Sequence, residues 1–194
     1  MDTKKFNPKK LAKLNDPQRL IDISPEFIAS KLSLQAPDIL VDIGAGTALF
    51  SVAFHERCKA ETTYACDLSV SMIDWMTENI SPQHPDIIPV KTEESAIPLA
   101  DSLANLTFMI NLHHELDDPT AVLNEAHRLL KPGGEIFIVD WKKEEMPQGP
   151  PVEIRFLPEQ VESQLENAGF SAIRSFNDLP KDFLVIGVKN EHST

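Results

Sequence analysis

Two cysteines in 194 residues, Cys58 and Cys66, leave no material for a disulfide framework or a zinc knuckle. Their spacing matches neither CxxC nor any paired-ligand pattern, and they read as the reduced thiols of a cytoplasmic protein. Long apolar runs are missing too, none approaching the ~18 residues that a membrane span requires. The stretch "MDTKKFNPKKLAK" carries lysines with no apolar segment behind them, so no secretory signal is expected. Tyrosine occurs once, as Tyr64 inside an expected buried strand, which argues against a catalytic tyrosine. Positive charge is scarce: 18 Lys and Arg stand against 30 Asp and Glu, a net charge of −12. Residues 1–19 reverse this, with six basic side chains against two acidic ones. An acidic body repels phosphate backbones, so nucleic acid is not an expected partner. The basic arm is either a solvated terminus or a lid over an anionic site.

What is present suits one globular domain with a real core: 42% of residues are hydrophobic and 25% charged. Strand and helix patterns alternate. "DILVDIG" (38–44) is an apolar run of the kind buried on both faces of a sheet. "TTYACD" (62–67), "DIIPVK" (86–91), "NLTFMINL" (105–112) and "EIFIVDW" (135–141) are further strands, with Pro89 assigning the third to an edge. Helices are expected at 24–34 behind Ser24 and Pro25, at 47–58, at 69–80, at 119–134 behind Pro119, and at 158–170. "SAIRSFN" and "DFLVIGVKN" close the chain as a hairpin. Strands joined through helices imply a parallel, doubly wound α/β sheet whose ligands sit beyond the carboxyl ends of the strands.

Three features fall on successive strand ends. The first is D-x-G-x-G-x-A, Asp42 to Ala48, where Gly44, Ala45 and Gly46 turn the chain into a helix and let backbone N–H groups approach a ligand. A dinucleotide site requires a third glycine, and Leu49 stands in its place. The second is Asp67, placed to accept hydrogen bonds from both hydroxyls of an adenosine ribose. The third is Glu93 and Glu94, where a side chain and an N–H could meet an adenine edge.

"VDIGAGTA", "CDLSVSM", "ESAIPLADSLANLTFMI" and "RLLKPGGEIFIVDW" together resemble the motifs of class I S-adenosylmethionine-dependent methyltransferases. The resemblance is to the small-molecule branch that includes ubiquinone and menaquinone biosynthesis enzymes. It implies a Rossmann-like seven-stranded sheet with an antiparallel C-terminal hairpin strand. Residues 37–194 would be the S-adenosylmethionine-binding domain and 1–36 an arm and helical cover. The Gly44–Gly46 loop would cradle the methionine part, Asp67 the ribose, and Leu68 and Met72 the flanks of the adenine, with Glu93 near its amino group. Asn111, at the fourth strand's end, joins the set expected to face the cofactor. S-adenosylhomocysteine would be the product. Ala48 replaces a frequent glycine, a mild change for a helix position.

The sulfonium of such a cofactor activates its own methyl group, so the enzyme must align an acceptor and exclude water. "NLHHELDD" (111–118) lies where the acceptor would sit. His113 or His114 accepts a proton from it, or one of them packs or caps. "HHE" lacks the spacing of a metal-binding helix, and no metal is expected. Asp140 either orients backbone or substrate or joins a magnesium site; Trp141 is a pocket wall or a core aromatic. No Asn/Asp-Pro-Pro-aromatic sequence follows the fourth strand, against adenine-base or glutamine-amide methylation. The expected function is methyl transfer to a small molecule. An NAD-type oxidoreductase and a cofactor-binding module without turnover are the alternatives.

Overall fold

The apolar run at 39–43 forms strand β1 (Ile39–Ile43), buried from Leu40 to Ile43. In the computed structural model, which describes residues 8–190, β1 lies inside one seven-stranded sheet. Its parallel neighbours are β2 (Thr62–Asp67) and β4 (Ala104–Ile110). Beyond them lie β3 (Ile87–Lys91), paired to β2, and β5 (Leu130–Trp141), paired to β4. The strands β6 (Phe170–Phe176) and β7 (Asp182–Lys189) complete the order β3-β2-β1-β4-β5-β7-β6, with β7 antiparallel to both its neighbours. This is the doubly wound sheet with an antiparallel hairpin strand read from the sequence. Pro89 does lie on an edge strand, where its missing N–H leaves no ladder bond unmade.

Three short helices precede the sheet: α1 (Pro8–Leu14), α2 (Gln18–Asp22) and α3 (Pro25–Lys31). The Ser24 hydroxyl accepts the Phe27 N–H at 3.2 Å, capping α3 with Pro25 in its first turn. Residues 1–7, part of the basic arm, lie outside the described residues. The larger helices are α4 (Leu49–Cys58), α5 (Val70–Asn79), α6 (Pro119–Leu129) and α7 (Pro158–Asn167).

Because successive strand residues point to opposite faces, Ile136 and Ile138 join Val41, Leu123, Leu129 and Leu165 in one core, on the α6–α7 side. Phe137 and Val139 join Leu40, Phe54, Phe108 and Ile28 in the other. The rings of Phe54, Phe108 and Phe137 meet there at centroid distances of 4.9–5.1 Å. Ile23, Ile28 and Leu32 of the N-terminal segment belong to that second core. Buried Glu135 ties the same segment to the sheet by accepting N–H bonds from Ser33 and Leu34 and a 2.9 Å bond from Arg174.

Several helices are shorter than the sequence expectation, and two of the differing boundaries have a clear physical cause. The helix expected over 119–134 stops at Leu129, and Leu130 already pairs with Ala104 in the sheet. Pro132 has no N–H to continue the helix, and the residue before it is held extended. Leu103 N–H and the Lys189 ammonium satisfy the last carbonyls, those of Leu129, His127 and Leu130. The helix expected from Thr47 begins at Leu49, because Ala48 is left-handed at φ 59°. Its replacement of glycine is therefore no mild helix substitution: a side chain there costs about 1–2 kcal/mol.

The chain moves from β1 outward through β2 to β3, then returns to the other side of β1 as β4. That reversal opens a crevice at the carboxyl ends of β1 and β4, where ligands of such sheets bind.

Candidate functional site

A cavity of about 480 Å³ lies at this crevice, within the usual range for a small-molecule site. Its floor is the turn after β1. Gly44 and Gly46 both have positive φ, 77° and 57°, and a Cβ on Gly44 would stand 2.6 Å from Leu112 Cδ2. Gly44 N–H and Ala45 N–H both donate to the Cys66 carbonyl at 2.9 Å. Gly46 N–H donates to Asp67 Oδ2 at 2.8 Å. This corrects the expectation that the loop aims its N–H groups at a ligand: they are turned inward, onto the end of β2. With the N–H groups of Gly44, Ala45 and Gly46 turned inward the turn makes a poor pyrophosphate cradle, and the NAD-type alternative is not favoured.

Asp67 is held from both sides, Oδ2 by Gly46 and Oδ1 by the Ser69 N–H at 2.8 Å. Both carboxylate oxygens are thus fixed in orientation at the β2 end of the cavity, which Asp67 lines. Beside it, Leu68 is 58% exposed while Met72 is buried, and both line the cavity. An exposed leucine at the mouth of a cavity is a surface that a flat apolar ligand would cover. Glu93 lines the same rim, 3.7 Å from the Lys91 ammonium. Glu94 lines the cavity as well, and its Oε1 accepts the N–H groups of Asp117 and Asp118 at 3.0 and 3.1 Å.

On the β4 side, Asn111 has φ 53° and binds Asp182 Oδ1 through Nδ2 at 2.7 Å. Its Oδ1 accepts a 3.3 Å bond from Arg19, a residue of α2 that sequence reasoning missed. Arg19 also donates to the Leu14 carbonyl at 3.0 Å, and its guanidinium lies 4.9 Å from the centre of the Phe50 ring. Burial lowers its pKa, while Asp182, Asp42 and Asp16 favour its charge. Asp42 is 2% exposed and accepts the Ser51 hydroxyl at 2.6 Å. Burial pushes its pKa up to about 7, against the Ser51 bond and with the Asp67 charge adding to the rise. Asp182, also missed, is raised to about 6 chiefly by burial.

The two histidines part company. His114 lines the cavity, and its Nδ1 lies 2.7 Å from Asp140 Oδ1. Asp140 also accepts the backbone N–H groups of His114 and Trp141, both at 2.8 Å, so it orients this corner of the site. His113 is fully buried, 2.7 Å from Gln164 Oε1 and edge-on to Phe156. It belongs to the packing of α7 and is not among the residues lining the cavity, which corrects its candidacy as a catalytic group. Trp141 is a cavity wall. Among the described residues no group of three or more His, Cys, Asp or Glu could hold a metal ion, and no helix is long and apolar enough to cross a membrane.

Residues 41–138, spanning β1 to β5 and this site, match the family model described as a methyltransferase domain. The chain belongs to the class I S-adenosylmethionine-dependent methyltransferase family. It is 31% identical to an Aquifex aeolicus SAM-dependent methyltransferase of known structure, covering 95% of this chain and 99% of that one with a TM-score of 0.85. Among curated proteins it is 27% identical over 123 residues to a malonyl-[acyl-carrier protein] O-methyltransferase of Marinomonas sp. (strain MWYL1), covering 63% of this chain and 45% of that protein. It is also 27% identical over 125 residues to the ubiquinone/menaquinone biosynthesis C-methyltransferase UbiE of Caulobacter sp. (strain K31), covering 61% and 50%. This methyltransferase chain thus spans half or less of the length of those two curated relatives.

Proposed function

We propose that this chain transfers a methyl group from S-adenosylmethionine to a small-molecule acceptor in the cavity at the carboxyl ends of β1, β2, β4 and β5. One observation carries the reading: a single cavity holds an oriented carboxylate, Asp67, at the β2 end and a half-buried guanidinium, Arg19, at the β4 end. The donor molecule has matching groups, ribose hydroxyls for the first and an α-carboxylate for the second. The side-chain-free turn at Gly44 and Gly46 fits the narrow part between them.

Bound there, S-adenosylmethionine supplies a sulfonium-activated methyl group. Asp67 accepts the ribose hydroxyls, and Leu68 and Met72 cover the adenine faces, with Glu93 at the outer edge. Arg19 holds the carboxylate of the amino-acid tail and Asp42, when ionised, its ammonium. Asn111 fixes Arg19 in place. Glu94 shapes the loop before α6 through its carboxylate and leaves its backbone to the adenine edge. Helices α1 and α2 act as a cover through Lys13, Leu14 and Arg19, limiting the access of water. His114 meets the acceptor beneath the wall formed by Trp141. The acidic charge of the chain favours a small acceptor over a nucleic acid.

Titration calorimetry with S-adenosylhomocysteine tests this. The wild type binds it and does not bind NAD, and Asp67→Ala weakens binding by about 1.5–3 kcal/mol, the worth of hydrogen bonds to a charged group. An unchanged dissociation constant, or binding of NAD in its place, refutes the assignment.

A further inference from the structure

Within this site one pair of side chains bears on what the acceptor is. His114 and Asp140 form a dyad whose side chains are 4% and 3% exposed, with the imidazole on the cavity wall. Asp140 faces Nδ1, which leaves Nε2 as the end directed away from the dyad. The side-chain carboxylate nearest Nε2 is that of Glu115, at 3.7 Å, on a chain two-thirds exposed at the cavity rim. The apolar side of the same corner is made by Leu116, Trp141 and Pro150.

The charged groups around this imidazole come from four elements. Asp140 belongs to β5, Glu115 and His113 to its own 3₁₀ turn (His113–Glu115), Asp182 to β7, and Arg19 to α2 beyond Asn111. Burial favours the neutral ring, but the bonds and charges of Asp140 and Glu115 prevail and push its pKa up to about 9. At neutral pH His114 is therefore an imidazolium that donates from both nitrogens. Such a group cannot take a proton from an alcohol, phenol or amine. It can hold an anion.

Resting on the methyl-transfer reading above, we infer that the acceptor is a carboxylic acid, met as its carboxylate by the Nε2–H of His114, and that the product is a methyl ester. The acceptor carboxylate takes the place that Glu115 approaches, and its apolar body lies against Leu116, Trp141 and Pro150. One carboxylate oxygen supplies the electron pair of the new O–C bond. The pair of the broken C–S bond returns to sulfur, and no proton is transferred. The charges also balance. The dyad is neutral as a pair, so the anionic acceptor brings to the positive sulfonium a charge of opposite sign.

The test supplies purified protein with methyl-labelled S-adenosylmethionine and a deproteinised low-molecular-weight cell extract, then treats the products with mild alkali. Esters release their label as methanol; ethers, methylamines and C-methyl products do not. Alkali-labile label above a heat-denatured control supports the assignment. Its absence overturns it, whether or not other labelled products form. Failure to bind S-adenosylhomocysteine in calorimetry would instead refute the underlying methyl-transfer reading. With an ester-forming fraction as probe, the rate stays level through neutral pH and falls above about pH 9 as His114 loses its proton. A rate climbing in proportion to hydroxide through neutral pH indicates proton abstraction and overturns the assignment. His114→Gln lowers kcat/KM about 10- to 150-fold, the worth of one charge-assisted hydrogen bond, with S-adenosylhomocysteine affinity unchanged.

Discussion

Asp42→Asn is expected to stabilise the ligand-free protein and to weaken its grip on the cofactor. Asp42 is enclosed, with the Ser51 hydroxyl as its hydrogen-bond donor at 2.6 Å, and burial raises its pKa from an ordinary 3.8 to about 7. The folded chain thus prefers the protonated acid. That preference contributes its full stability below pH 3.8 and is lost as the pH rises through about 7. A shift of about three units at ~1.4 kcal/mol each is a swing of about 4 kcal/mol. Asparagine keeps the shape and the acceptor oxygen for Ser51 but carries no charge at any pH. Urea unfolding of both proteins from about pH 5.5 to 8, above the sequence pI near 4.9, should show the variant's advantage growing by about 2 kcal/mol across that window. Calorimetry at the upper end should show weaker S-adenosylhomocysteine binding, since the ionised partner of the ammonium is gone. A difference in unfolding free energy that stays constant with pH refutes the reasoning, because Asp42 would then titrate alike in the folded and unfolded chain.

Arg19→Met should reduce S-adenosylhomocysteine affinity about 10- to 150-fold in the same calorimeter, as the loss of a charged hydrogen-bond partner; undiminished affinity removes the α-carboxylate role. Phe137→Ala empties the centre of the three-ring cluster and should lower the urea-unfolding free energy by about 3–5 kcal/mol, with a value under about 1 kcal/mol contradicting the packing. Arg155 is 3% exposed and donates to the carbonyls of Lys142, Glu144, Gln148 and Pro150. Replacing it with Ala should raise hydrogen exchange across residues 142–155 while leaving β1 and β4 protected; an unaltered exchange pattern means the loop holds its shape without it.

The alternation of strands and helices was legible because the central strands are short apolar runs and three of the four long helices, α5, α6 and α7, are marked by Ser, Asp or Pro at their start. The Asp67 and Gly46 positions were legible because they sit at strand ends, where side chains have a fixed relation to the crevice. Contacts made across long sequence separations were not. Arg19 reaches Asn111 over 92 positions, and nothing local says that it turns inward. Its one signal was being four residues before buried Ile23, hence on the same helix face. Asp182 was hidden in the same way, as the first residue of an apolar strand. The bonds of Glu94 to the backbone of Asp117 and Asp118 were hidden for the same reason, since those two residues come from a different strand connection. Ala48 misled because helix propensity favours alanine, whereas the turn from β1 demands a left-handed residue there.

Asp67 serves two masters: the same two oxygens proposed to receive the sugar also brace the glycine turn and the start of α5. Redirecting this scaffold to a different nucleoside therefore cannot proceed by exchanging that one side chain, since whatever replaces it must first take over the N–H groups of Gly46 and Ser69. A successful redesign would have to rebuild positions 46, 67 and 69 as a unit.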